Sequence, residues 1–352
     1  MDESAAFGPD RPQHPEYLIP EGTLRGPVLG GTLGATRRAG AQKTVRGEER
    51  GVAVDVSFDR GVPASRRGVR LIEAVRCSMD KPLASFRAPP ITETAISVQF
   101  KPLRQMSNGH LGLFWERVRD AFPISSDAVP IEPKVERFGP DIQRVRLPHL
   151  RVGMAPAASR LRMESPDQHS MLQIQNGRLV FNWMRLADGE YPRWAVVRPR
   201  FDSALRELES LVADEKLGAI EPDQWEVVYV NQFLKGREWT TPSDWNAILP
   251  GVIGTTSGVP DASLETGVFR ASFEMPKRVG RIHVEVSHGF SGPDDEATEV
   301  LVVQLTARGS VDKERGPLAG LDIGREAIVR TFVALTGEHV RKVIWQQEEA
   351  EK

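Results

Sequence analysis

Cysteine is nearly missing from this chain. Cys77 is the single one, so no intrachain disulfide can form and a cysteine-built zinc site is excluded. That usage fits a reducing compartment. Long apolar runs are missing too. The longest candidates, such as Leu301-Val302-Val303, are strand-sized, far short of the ~20 residues a membrane helix needs. The chain opens on acidic residues with no basic-then-apolar leader pattern. The cytoplasm is therefore the expected compartment, and no membrane partner is expected. Neither sign of charge is in excess. The formal net charge of -2 argues against a dedicated nucleic-acid binder, though it leaves room for a local basic patch.

Catalytic signatures are equally scarce. No Ser or Cys sits in a G-x-S-x-G frame, so a hydrolase triad has no anchor. Gly30-Gly31-Thr32-Leu33-Gly34 and the run from Gly251 to Gly258 both lack the lysine of a phosphate loop. No cofactor is expected, and the balance leans away from an enzyme.

What is present is the composition of a soluble globular protein, 40% hydrophobic and 27% charged over 352 residues. The clearest local statement is MLQIQNGRLVFNWM, Met171 to Met184. Asn176-Gly177 between two alternating runs predicts a hairpin with a type I′ turn. Leu172, Ile174, Leu179, Phe181 and Trp183 then share one face, and Gln173, Gln175, Arg178 and Asn182 the other. The apolar face belongs to the core. Function is to be sought on the polar face or in the connector that follows the next strand.

Residues 1–78 are rich in Gly, Pro, Arg and Ala and have no helical or strand period. They are expected to be a disordered extension, with one isolated strand at Val52 to Phe58. Met79 looks like the start of the ordered protein, which would make the upstream residues an over-extended gene start. The alternative is an Arg-rich nucleic-acid arm, diluted by interspersed acids such as Glu48, Glu49, Asp55 and Asp59.

Beyond Met79 the periods predict strands at Ala95 to Phe100, Leu161 to Glu164, the hairpin, Trp225 to Phe233, Val268 to Glu274, Arg281 to Val286 and Glu299 to Arg308. Helices are predicted at Leu111 to Phe122, Phe201 to Leu217 and Leu321 to Thr336. A short helix begins at the Thr241-Pro242-Ser243-Asp244 cap, and a last helical turn runs to Trp345. Residues 124–158, punctuated by proline, read mostly as loop, with a short strand near Val135 to Phe138. Strand–strand–strand–helix thus occurs twice, over Leu161 to Leu217 and Val268 to Thr336. The expected class is α+β: two similar units forming antiparallel sheets covered by helices. The first unit spans 79–233, a connector 234–266, and the second unit 267–352.

APPITETAISVQF, NGRLVFNW, YPRW, RFDSALREL, VVYVNQF and REAIVRTFVALT with a final Trp fall in a telling order. Together they resemble a sporadically distributed bacterial family of uncharacterised proteins, over Pro89 to Trp345. The resemblance implies a start near the Pro-Pro-Ile-Thr-Glu motif, in keeping with Met79. It carries over no activity, cofactor or catalytic residue. A patchy distribution of this kind suits mobile-element or defence-associated genes.

Two groupings could carry chemistry. His283 and Glu285 share a strand face, a beginning for a metal-dependent hydrolase or nuclease that still needs a third ligand. Facing water is the plainer reading of both. Lys235, Arg237, Trp239 and Trp245 gather basic and aromatic groups in the connector. They suit a protein interface or, alternatively, stacking on nucleic-acid bases. The plainer reading is that both tryptophans cover the core. The expected function is a non-enzymatic, cytosolic protein-interaction protein with a protein partner, and the polar grouping at Lys235, Arg237, Trp239 and Trp245 is its candidate surface.

Overall fold

The structure is a computed structural model that describes residues 82–138, 159–186, 189–250, 252, 261–292 and 297–348. The readings of residues 1–78 as an extension, of a strand at Val52 to Phe58 and of a start at Met79 lie outside the described residues.

A short ribbon joins β1 (Ser85–Phe86) to the last strand, β11 (Gln347–Glu348). Among the described residues all other strands lie in one nine-stranded sheet. In chain order they are β2 (Ile91–Phe100), β3 (Ile124–Ala128), β4 (Arg160–Glu164), β5 (Ser170–Gln175), β6 (Arg178–Met184), β7 (Pro222–Leu234), β8 (Val268–Glu274), β9 (Arg281–Ser291) and β10 (Thr298–Ser310). Their lateral order is β3-β4-β5-β6-β2-β7-β10-β9-β8, and every neighbouring pair is antiparallel. The helices are α1 (Asn108–Val118), α2 (Trp194–Asp214), the single turn α3 (Trp245–Ile248) and α4 (Gly316–Leu335).

The fold is α+β with antiparallel strands. The separate sheets expected from the sequence are a single sheet, because β2 and β7 pair at its centre, with Ile96 opposite Val227 and Val98 opposite Trp225. On one side of that seam lie β2, β6, β5, β4 and an extra edge strand, β3, on the other β7, β10, β9 and β8. In both halves the first strand is central, the last strand lies beside it, and a long helix follows, α2 or α4.

Alternation decides which side chains meet the helices. Ile96 and Val98, Leu172 and Ile174, Leu179 and Phe181, Val227, Val284, Leu305 and Ala307 form the buried helix-facing layer. Leu111 and Phe114 of α1, Phe201, Leu205 and Leu208 of α2, and Leu321, Ile328 and Phe332 of α4 close it. Each such side chain contributes about 1.5–3 kcal/mol by leaving water. Trp225 sits in this layer in a slot of glycines. A Cβ on Gly320 would lie 2.2 Å from its ring, on Gly309 2.5 Å, on Gly324 2.6 Å and on Gly280 3.0 Å. The missing side chains let α4 lie close on β7 and β10.

The hairpin has the predicted register, with Gln175 opposite Arg178 and Leu172 opposite Phe181. Its turn differs from the type I′ expectation. Gly177 takes a positive φ of 107°, but Asn176 does not. Asn176 instead spends its carboxamide on a neighbouring loop. Its Oδ1 accepts from Leu103 N at 2.8 Å, and its Nδ2 donates to the Leu103 carbonyl at 2.9 Å. That tertiary tie replaces the local preference for a left-handed Asn.

Candidate functional site

The hairpin's polar face, where function was to be sought, is also buried. Gln173, Arg178 and Asn182 are each no more than 3% exposed. A strap of residues 129–138 crosses one end of this face, and three glutamines hold it. Gln175 exchanges two hydrogen bonds with Ile131, accepting from its N at 2.8 Å and donating to its carbonyl at 2.8 Å. Gln99 treats Lys134 the same way, at 3.0 and 2.6 Å. Gln224 accepts from Glu136 N at 3.1 Å. A carboxamide carries one acceptor and one donor group, as a peptide unit does. The glutamines therefore act as rungs that replace a neighbouring strand. The sequence predicted loop here, with a strand near Val135 to Phe138. The chain instead makes β3 and then this strap.

The strap ends in an ionic cluster around Glu136. Its carboxylate accepts from Arg281, from His283 Nε2 at 2.6 Å and from Arg308 Nη1 at 3.1 Å. Arg308 also donates to Glu226 through Nε at 2.5 Å, and the Arg281 guanidinium lies 4.9 Å from the Phe138 ring centre. Burial pushes the Glu136 carboxyl up, but the His283 hydrogen bond and the charges of His283, Arg308 and Arg281 outweigh it. The net result lies below the ordinary value. Glu226 follows the same pattern, with burial opposed by Arg308 and Arg178. His283 passes the tie outward, because its Nδ1 meets Ser272 Oγ at 2.9 Å. Glu136 therefore fixes β9, β10 and, through His283, the edge strand β8.

Of the residues singled out by sequence, His283 joins this cluster and Glu285 does not. Glu285 pairs with Arg270 at 3.6 Å on the exposed side. Among the described residues no group of three or more His, Cys, Asp and Glu could hold a metal. The connector is split as well. Trp239 and Trp245 are 3% and 1% exposed, and meet edge-to-face at 5.4 Å. Trp239 Nε1 donates to the Phe233 carbonyl at 2.8 Å, and Trp245 stacks on His288 at 5.0 Å. Lys235 and Arg237 remain half exposed, bound to Glu299 and Glu238. The four residues thus do not form one exposed aromatic surface: apolar burial takes the rings inward and leaves the charges outside. Two further histidines have structural partners: His110 accepts from Ser107 N at 3.0 Å, and His169 Nδ1 meets the Met184 carbonyl at 3.0 Å. Glu136 was missed because nothing in its local sequence distinguishes it. The glutamines at outward strand positions were the available signal.

Beyond the cluster lies β8, one of the sheet's two edges; the other is the shorter β3. Among the described residues nothing pairs with the outer side of β8. Its sequence, VFRASFE, has no proline, and its two charges are of opposite sign. Natural edges are usually guarded by lysine, proline or a bulge. Val268 is 60% exposed and Phe273 41%. At the hairpin ends Met275 N donates to the Gly280 carbonyl and His288 N to the Gly267 carbonyl. Residues 267 and 275 thus bond inward, and because bonding alternates along an antiparallel strand, so do Phe269, Ala271 and Phe273. Val268, Arg270, Ser272 and Glu274 turn their N–H and C=O groups to the free edge.

A comparison of the chain with protein-family models gives no match, and a comparison with curated proteins gives none either.

Proposed function

We propose that this chain is a non-enzymatic, cytosolic interaction protein that assembles by strand addition at β8, and that its partner there is a second copy. The open, unguarded edge carries this reading. Antiparallel self-pairing centred on Ser272 puts Arg270 opposite Glu274 of the partner strand, and Glu274 opposite its Arg270. On the other face Ala271 meets Phe273. Both faces are complementary, and the three pairs of edge-facing residues supply about six backbone hydrogen bonds, two per pair. The Glu136 cluster supports the reading, because an edge held rigid loses less freedom on pairing.

The matched strand order of the two half-sheets supports an internal duplication, with β2 and β7 as equivalent first strands. Membership of the sporadic bacterial family, with its mobile-element or defence association, belongs to this same proposal.

Ser272→Pro tests the assembly. It removes an N–H that points to the free edge and the Ser272 Oγ contact with His283, and leaves every backbone hydrogen bond to β9 in place. Ser272→Ala, which loses that contact alone, is the control and should remain a dimer. The wild-type chain is expected to sediment as a dimer and the variant as a folded monomer. In a Cys77→Ser background, Ser272→Cys is expected to form a disulfide-linked dimer on oxidation. A monomeric wild type, or a dimer that survives Ser272→Pro, would overturn the proposal.

A further inference from the structure

On the helix side, away from β8, the seam between β2 and β7 opens into a cavity of 440 Å³. Its floor is the start of β2 and the middle of β7. Its sides are the first turn of α2, the middle of α4 and the segment that leads from β1 into β2. Most of the wall is apolar, with Ile91, Trp194, Ile328 and Phe332 among the lining residues.

The polar groups converge. Tyr191 and Tyr229 join hydroxyl to hydroxyl at 2.9 Å. Tyr229 is 7% exposed. Burial holds both phenols above their ordinary value, Tyr229 well above, so both stay protonated; one hydroxyl donates to the other, and Tyr229 also accepts from Arg325. Arg325 lines the cavity, and its buried Nε has no hydrogen-bond partner among the described residues. Arg193 lines it too, with a backbone at φ 70° and ψ 159°, a region normally left to glycine and often found where a site is held under strain. The one carboxylate on the wall, Glu348, is held by Ser85 and by Arg87 at 3.3 Å and feels the charge of Arg193, whose Nη1 donates to Ser85 Oγ at 3.4 Å. Donors and positive charge therefore outnumber acceptors in an apolar chamber with room for roughly 15 non-hydrogen atoms at about 30 Å³ each.

We propose that this cavity binds a small carboxylate with an apolar body, its charge on Arg325 and Arg193 beside the tyrosine pair and its body against Trp194, Ile328 and Phe332. The chemistry is that of most small-molecule sites, where an apolar chamber has a few placed polar groups, and a guanidinium suits a carboxylate in particular. The proposal stands independently of assembly through β8.

Octanoate and 4-phenylbutyrate are the probes, with octanol as the neutral control, each titrated calorimetrically into the full chain. One saturable site for at least one of the acids is expected, with octanol at least tenfold weaker. Arg325→Met should weaken the acid by tenfold or more and leave octanol unchanged, and Arg325→Lys should recover part of the loss. Ile328→Trp should fill the chamber and abolish binding of the acid and of octanol, with circular dichroism confirming that each variant is folded. Failure of both acids to bind the wild type would overturn the proposal. So would binding that is indifferent to Arg325→Met and Ile328→Trp.

Discussion

At the scale of single residues, two environments decide more than their sequence neighbourhoods suggest. The first is the glycine slot around Trp225. A methyl group at Gly320 would stand 2.2 Å from the indole, and neither the ring nor the helix backbone has room to yield. Gly320→Ala is expected to cost about 1–3 kcal/mol through overpacking, although alanine favours a helix in isolation. Urea unfolding measures it, and a variant as stable as the wild type would refute the slot. The second is Glu136. Its carboxyl lies below the ordinary 4.5 in the folded chain, so it contributes stability above that pH and loses it as the pH falls through the lowered value. Glu136→Gln should therefore be clearly destabilised at neutral pH, and the gap to the wild type should close below pH 4.5. A gap of constant size in acid titrations of stability would remove the cluster from this role. Neither environment was legible in the sequence. Trp225 reads as an ordinary strand residue and Gly320 falls just ahead of the helix predicted from Leu321, because a slot exists only once the two are packed.

At the scale of elements, periodicity was a good guide wherever one face met the core. β2, the hairpin, β9 and β10 were found by alternation, and α1 and α4 by their stripes. The starts and stops were less visible. α2 begins at Trp194 and contains Pro199, ahead of the stripe that begins at Phe201. The strap was missed for a different reason. Its partners are side chains 35, 44 and 88 residues away, and its own residues show no period. The rungs make it testable. Gln99→Ala strips Lys134 of both its bonds and should cost about 1–3 kcal/mol. It should also speed proteolytic cleavage within residues 129–138. An unchanged cleavage rate would mean that the glutamines do not hold the strap.

At the scale of the molecule, the α+β class was legible because strands and helices announce themselves by period. That the strands make one sheet was not, since no local signal says that β2 and β7 pair. The same limit applied to the candidate surface. The connector stands out for its aromatic content, whereas Trp239 and Trp245 lie in the core. The strand addition proposed at β8 depends on the complete molecule, because the cluster that holds β8 draws on β7, β9, β10 and the strap together.

The central seam also sets an order of events in time. Thr92 at the start of β2 donates to the Val230 carbonyl, 138 residues further along, and Glu136 reaches Arg308 across 172 residues. During synthesis β2 can pair with β6 while its other edge stays open until β7 leaves the ribosome. The glutamine rungs of the strap can form once β7 is made, but Glu136 has no Arg308 until β10 has followed. Closing loops of that length is slow, and an open strand edge is exposed to wrong partners while it waits. The ionic end of the strap thus locks later than its rungs. It ties the sheet only after the chain has committed to its final pairing.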